Sequence, residues 1–352
     1  MRTEDLDTPA VLVDLDRVER NLRRAQDYAD RHGLRLRPHI KTHKLVRFAR
    51  WQMDLGAHGI TCQKLGEAEC MAAGGIADIL VTYNILGAAK LRRLAELHAR
   101  VRMAVVADSR EVVEGYAATF TDPGHRLRVL VECDTGAGRC GVQTPREALE
   151  LARTVAAAPG LAFAGLMTFQ PRDATAATEA WLAEARDLLA AAGLPPATVS
   201  AGGTPDLFRA AEIASATEYR PGTYIYSDRM QVAWGHGTLE DCALTVLTTV
   251  VARPTAERAI LDAGSKVLAA DTAPVPGHGH IREYPEAVIR GLSEEHAIVD
   301  VSACPHEPRI GERVRVIPNH VCPVVNLTDR VHLLRGDRVE EIVPVDARGR
   351  VT

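Results

Sequence analysis

No two cysteines of this 352-residue chain form a C-x-x-C pair. The seven present, at positions 62, 70, 133, 140, 242, 304 and 322, are odd in number and widely scattered. That excludes a disulfide framework and a zinc ribbon, and it makes most of them small buried apolar residues of a reducing compartment. Long apolar runs are missing too: no window approaches the roughly 20 residues that span a bilayer. The opening segment Met1–Asp7 carries Glu4, Asp5 and Asp7 and no apolar run, so it is not a secretory signal, and a cytoplasmic protein is expected. There is no stripe of positive charge either. With a formal net charge of −4 and Lys and Arg scattered among acids, a nucleic-acid partner is excluded. Internal repeats and low-complexity segments are also absent.

What is present is the balance of an ordinary globular protein, 46% hydrophobic and 25% charged, in a chain long enough for one large domain and a smaller one. Short β-branched or apolar runs alternate with helical stretches. The expected strands are Leu34–Ile40, His58–Cys62, Asp78–Val81, Arg102–Val106, Arg126–Glu132, Phe163–Thr168, Thr198–Ser200 and Ala216–Tyr219. Between them, Leu15–His32, Gly66–Ala73, Leu91–Ala99, Pro145–Ala158 and Thr178–Ala192 place apolar residues at helical spacings. Eight such alternations predict a parallel (β/α)8 barrel with its chemistry at the C-terminal strand ends. Past residue 236 the texture becomes Val/Thr/Ile alternation broken by Gly and Pro, which predicts an antiparallel β domain. The expected domains are thus a barrel over 13–235 and a β domain over 236–352, with the N-terminal strand region 1–12 joining the latter.

The first expected strand ends in Arg37-Pro38-His39-Ile40-Lys41-Thr42-His43-Lys44. A lysine at the C-terminal end of a barrel strand points toward substrate, and a desolvated lysine among cations loses its proton readily enough to act as a nucleophile. Strand alternation puts Lys41 and His39 on one face and leaves Lys44 in the following turn, so Lys41 is the expected nucleophile.

This segment resembles the cofactor-lysine motif of the fold-type III pyridoxal 5'-phosphate (PLP) enzymes that include D-threonine aldolase, D-serine dehydratase and 3-hydroxyaspartate lyases, and more distantly alanine racemase. The resemblance continues in family order through Gln63–Glu69, Asp134–Val142, Arg220–Tyr226, Leu261–Lys266 and Ser293–His296. It implies that Lys41 carries PLP covalently, with His39 beside it as a catalytic candidate. A phosphate needs converging backbone N–H groups, which glycine supplies by letting the chain approach closely. Ser200-Ala201-Gly202-Gly203-Thr204 and Arg220-Pro221-Gly222-Thr223-Tyr224 follow the seventh and eighth strands, where these barrels bind phosphate. By resemblance Gly203, Thr204, Gly222 and Thr223 hold it, with Tyr224 as a further hydroxyl donor. Arg139 is implied at the phenolic oxygen of PLP and Arg220 at its pyridine nitrogen. Phe169 can stack on the ring, yet Phe169-Gln170 stands where relatives carry a histidine. Since neither side chain moves a proton, the acid–base group is sought among His39, His43, His236, His278 and His280.

The second signal is Pro318-Asn319-His320-Val321-Cys322-Pro323. In an extended segment residues i and i+2 face the same side, so His320 and Cys322 can meet one ion. The lyases of this family bind a divalent metal through such a pair and alanine racemases lack it. Thiolate with imidazole favours Zn²⁺ over Mn²⁺ or Mg²⁺. The resemblance therefore implies a PLP- and metal-dependent lyase, homodimeric, acting on small β-hydroxy-D-α-amino acids. D-Threonine aldolase chemistry comes first, a D-serine or 3-hydroxy-D-aspartate dehydratase second and an amino-acid racemase third. A regulatory PLP carrier is disfavoured by the C-terminal β domain.

Overall fold

The computed structural model describes Met1–Thr352 and separates into two compact units. One holds Arg24–Lys41, Leu45–Gly222 and Arg350–Thr352; the other holds Met1–Arg23, Thr42–Lys44 and Thr223–Gly349.

After β1 (Ala10–Asp14), which belongs to the second unit, the first unit contributes β2 (Arg35–Leu36), β3 (Ile60–Cys62), β4 (Asp78–Val81), β5 (Arg102–Ala107), β6 (Leu127–Cys133), β7 (Leu161–Thr168), β8 (Thr198–Ala201) and β9 (Glu218–Tyr219). All pair in parallel in the order β2-β9-β8-β7-β6-β5-β4-β3. A bridge from His39 to Thr61 joins the two ends of that series, so the sheet closes into the expected barrel. Its lumen is filled by Leu80, Ala104, Val106, Leu130 and Met167 from successive strands. At Gly165, where the pairing of β6 and β7 slips, φ is +140° and an added Cβ would run into the Thr198 carbonyl, so only glycine fits. Local chemistry sets the helix starts as well. Ahead of Pro145–Ala157, Thr144 accepts from the Glu147 N–H at 3.2 Å while Glu147 accepts from the Thr144 N–H at 3.0 Å.

The expected strand Leu34–Ile40 is the one that differs most. Regular pairing covers only Arg35–Leu36, after which Arg37 N–H still donates to Tyr219 O and His39 N–H to Pro221 O, each at 2.9 Å. The chain then leaves the sheet in a single 3-10 turn, Ile40–Thr42. Lys41 is therefore a turn residue, and the strand alternation used to pair it with His39 does not apply.

The second unit is built on a sheet of β1, β10 (Leu244–Thr255), β11 (Arg258–Leu261), β12 (Gly279–Ile281), β13 (Val288–Leu292), β14 (Ala297–Asp300), β15 (Arg313–Pro318), β16 (Arg330–Arg335) and β17 (Arg338–Pro344). β1 pairs antiparallel with β10 and parallel with β16, so the N-terminal strand does join the C-terminal sheet and gives it one parallel pair. Leu6, Ala10, Leu12, Leu247, Leu334 and Val339 pack its core. His280, expected in a loop, lies on β12 opposite Ile317. No helix of the chain is long and apolar enough to cross a membrane.

Candidate active site

In the barrel unit Lys41 is half-buried. Its backbone N–H donates to His39 Nδ1 at 3.3 Å, and His39 Nε2 meets Gln63 Oε1 at 3.1 Å. Because Gln63 Nε2 donates to Thr82 O at 2.9 Å, its oxygen faces the histidine, and His39 Nε2 carries the proton. Both ring nitrogens are thereby engaged, and His39 holds the Lys41 turn. The rival lysine is tied down: Lys44 is 5% exposed, adopts φ +54° and donates from Nζ to Ala347 O at 3.3 Å within the second unit.

The two glycine loops meet as a phosphate cradle requires. Gly222 N–H donates to Thr204 Oγ1 at 3.2 Å, and a Cβ on Gly202 would stand 2.7 Å from Arg220 N, so the backbones approach too closely for any other residue. Phe169 borders the same loop, lying 3.6 Å from where a Gly203 Cβ would sit. The Arg139 guanidinium lies over the Phe169 ring, 4.6 Å from its centroid. Arg139 reaches that place from a loop in which Asp134 accepts from Gly136 N–H at 2.9 Å and Gly138 N–H at 3.1 Å. These residues fit PLP: an amine, a main-chain cradle, an aromatic face and a cation lie at the C-terminal ends of the barrel strands.

Beneath them runs a buried polar chain. Arg37, 2% exposed, donates to Asp78 Oδ1 at 2.6 Å and to Glu218 Oε2 at 2.7 Å. Ser200 Oγ donates to Glu218 Oε1 at 2.5 Å and accepts from Arg220 at 2.6 Å, while Arg220 also donates to Thr168 O at 2.7 Å. Burial lowers the Arg220 guanidinium to about 10 against the attraction of Glu218, so it keeps its charge at neutral pH. Every member has a partner, which is what a low-dielectric barrel demands. Nearby is a group that sequence reasoning missed. Glu132, near the end of β6, is raised to about 7 by burial and by Asp108, with Arg139 and Arg220 pulling the other way. The signal was a lone carboxylate closing the apolar run Val129-Leu130-Val131.

The second unit holds the other cluster. His320 is the extended cap of the helix Val321–Leu327, and Cys322 lies in that helix's first turn, so the pair sits at a helix start instead of along a strand. The two side chains still interact, since Cys322 favours the charged form of the His320 ring. Cys322 Sγ also has Thr42 Oγ1 at 3.2 Å and Thr223 Oγ1 at 3.9 Å, so the Thr223 hydroxyl, expected at the phosphate, faces the thiol. Buried Asp228 accepts from Val321 N–H at 3.2 Å and Gln231 N–H at 2.9 Å and fixes the helix start. Burial works against a charge on His320, yet Cys322 and Asp271 outweigh it and lift the imidazole to about 9. No set of three or more His, Cys, Asp and Glu is placed to hold a metal ion. An imidazole and a thiol alone fit a Zn²⁺ site whose other positions go to water and substrate. Tyr224 is buried in the turn Thr223–Ile225 of the same unit. Of the other histidines proposed as acid–base groups, burial lowers His280, and His43 is fully buried.

Comparison with known proteins agrees with this architecture. The family profile described as "Alanine racemase, N-terminal domain" matches residues 13–230, and a serine dehydratase-type domain profile matches residues 243–334. The chain is 35% identical to a D-threonine aldolase from Arthrobacter sp, over 98% of this chain and 93% of that one. It superposes on the D-threo-3-hydroxyaspartate dehydratase of Delftia sp. HT23 with a TM-score of 0.89 at 31% identity, covering 97% of this chain and 98% of that one. A cysteine-to-alanine mutant of a D-threo-3-hydroxyaspartate dehydratase, in its metal-free form, matches with a TM-score of 0.88 at 30% identity over 98% of each chain. With its profile over more than half the chain and its relatives matched nearly end to end, this protein belongs to the alanine racemase N-terminal domain family, in the group that carries a serine dehydratase-type domain behind the barrel.

Proposed function

We propose that the protein is a PLP- and divalent-metal-dependent lyase of β-hydroxy-D-α-amino acids, of the D-threonine aldolase type, cleaving Cα–Cβ to release glycine and an aldehyde. One observation supports the metal part of this reading: His320 and Cys322 stand together at one helix start, where the hydroxyl of Thr42, the residue after Lys41 in the sequence, lies 3.2 Å from Cys322 Sγ. Gly222 is likewise followed directly by Thr223, whose hydroxyl lies 3.9 Å from the same thiol.

Lys41 Nζ would hold the cofactor, the Gly202–Thr204 and Arg220–Gly222 loops its phosphate, Phe169 its ring face and Arg139 its phenolic edge. His320 Nε2 and Cys322 Sγ would hold the ion, with Zn²⁺ preferred on donor chemistry. When bound, PLP supplies an electron sink at Cα and the ion a Lewis acid for the β-hydroxyl. His39 keeps the Lys41 turn in place through the Lys41 N–H. Arg220, anchored on Ser200 and Thr168, presents a fixed positive charge without losing a proton.

Dehydration to a 2-oxo acid and ammonia is the second reading, favoured by the thiol at position 322 and by the likeness to the Delftia dehydratase. Incubation with D-threonine, D-serine and threo-3-hydroxy-D-aspartate, followed by separation of glycine from 2-oxo acid, distinguishes the two. Glycine from D-threonine is expected. Conversion of D- to L-amino acid without β-carbon cleavage would leave only a racemase.

A further inference from the structure

The segment Ala269–Gly277 runs from a left-handed residue, Ala269 at φ +61°, to a left-handed glycine, Gly277 at φ +87°, and carries Asp271. It is fastened to the residue before His320. Asn319 Nδ2 donates to Asp271 O and to Gly277 O, each at 3.0 Å, while Asn319 Oδ1 accepts from Arg229 Nη1 at 3.1 Å. Arg229 in turn donates to Pro276 O at 2.7 Å and Gly277 O at 3.2 Å. Held in this way, Asp271 places Oδ2 2.5 Å from His320 Nδ1. Successive residues, Asn319 and His320, therefore grip the main chain and the side chain of one aspartate.

That contact decides which imidazole nitrogen is free. A carboxylate accepts only, so the proton shared with Asp271 resides on Nδ1, and the lone pair that can face an ion beside Cys322 is on Nε2. In an inference that rests on the metal reading of His320 and Cys322, we propose that Asp271 is the positioning residue of the metal centre, holding His320 as its Nδ1–H tautomer with the ring turned so that Nε2 meets the ion. Acting through His320, Asp271 makes the imidazole a stronger donor and limits its rotation, and a site with only two protein ligands depends more on each of them than a three-ligand site does. Together with the Asn319 and Arg229 bonds, the aspartate ties the position of the 271–277 segment to His320.

The test uses the PLP-loaded enzyme and Zn²⁺ alone, with affinity read by competition against a chromophoric chelator. Asp271→Ala is expected to weaken Zn²⁺ binding by about 10–100-fold while the visible PLP band and the melting temperature stay at wild-type values. Asp271→Asn, whose amide oxygen still accepts from Nδ1 but brings no charge, should fall between, and it carries the test if Asp271→Ala does not fold. In the Zn²⁺-loaded protein, imidazole NMR should show a hydrogen-bonded His320 Nδ1–H in wild type that disappears in Asp271→Ala, a change that a purely structural role would not produce. Wild-type Zn²⁺ affinity in Asp271→Ala, with His320→Ala unable to bind, would overturn the Asp271 role alone. Wild-type affinity in His320→Ala would overturn the metal reading beneath it.

Discussion

The turn that carries Lys41 and the corner that carries His320 and Cys322 are built from different materials. Around Lys41 the chain is held mostly by main-chain bonds: His39 N–H to Pro221 O, Thr61 N–H to Pro38 O at 2.8 Å, and the bridge that closes the barrel. Side chains enter chiefly from below, through the buried Arg37–Glu218–Ser200–Arg220 chain. Around Cys322 the fastening comes from side chains, with Asp228 on the helix start, Asn319 and Arg229 on the 271–277 segment, and Asp271 on the imidazole. A main-chain scaffold survives loss of any one side chain, whereas a corner held by single carboxylates and amides does not. The barrel turn should thus tolerate neighbouring substitutions and lose function only at its reactive groups, while the metal corner should respond to several positions that never touch an ion.

The largest expected effect is at the reactive amine. Lys41→Ala should abolish both the visible band of lysine-bound PLP and turnover, and Lys44→Ala, which removes the bond to Ala347 O, should keep the band. The opposite pattern in an absorption spectrum would reverse the assignment. Next comes the metal corner: His320→Ala, or a chelator added to wild type, should remove lyase activity while leaving the PLP band, and Zn²⁺ should restore the chelated wild type. Cys322→Asp exchanges a soft donor for a hard one and should shift the activating ion toward Mn²⁺ or Mg²⁺, readable as relative rates with each ion.

A smaller effect is expected at Glu132, and its sign follows from its surroundings. Burial raises the carboxyl to about 7 in the fold, above its unfolded value, so its contribution is fully present below the unfolded value and is lost as pH rises through about 7. Glu132→Gln should therefore leave stability unchanged in acid and raise the unfolding free energy above neutral pH by on the order of 1–3 kcal/mol, with a higher melting temperature there. A variant with the wild-type pH profile of stability would show that Glu132 is already paired. Smallest is Arg139→Ala, which gives up the contact over Phe169, worth about 0.5–1 kcal/mol where exposed. It should change the PLP absorption spectrum with little change in melting temperature, and an unaltered spectrum would remove Arg139 from the cofactor edge.

The barrel was readable because each strand is a short apolar run between helical periods, a pattern local enough to survive without tertiary information. The end of the first strand was misread for a local reason as well: Pro38 offers no N–H, and the chain turns at Ile40–Thr42 before alternation can set side-chain faces. His320 and Cys322 were identified by their spacing in an extended segment, but their meeting depends on His320 being a helix cap. Glu132 gave only a faint signal, since its carboxyl matters through Asp108, Arg139 and Arg220, which lie on other loops and strands.

By itself, the order of residues determined the alternation that makes a barrel, the lysine that follows its first strand, the two glycine loops and the spacing of imidazole and thiol, because each of these is decided within a few residues of chain. Only the tertiary structure decided which lysine is free, that both nitrogens of His39 are engaged, and that Asp271, 49 positions away, grips His320. Such choices turn on contacts between segments remote in sequence, and no local period or propensity carries information about which distant carboxylate will arrive beside a given ring.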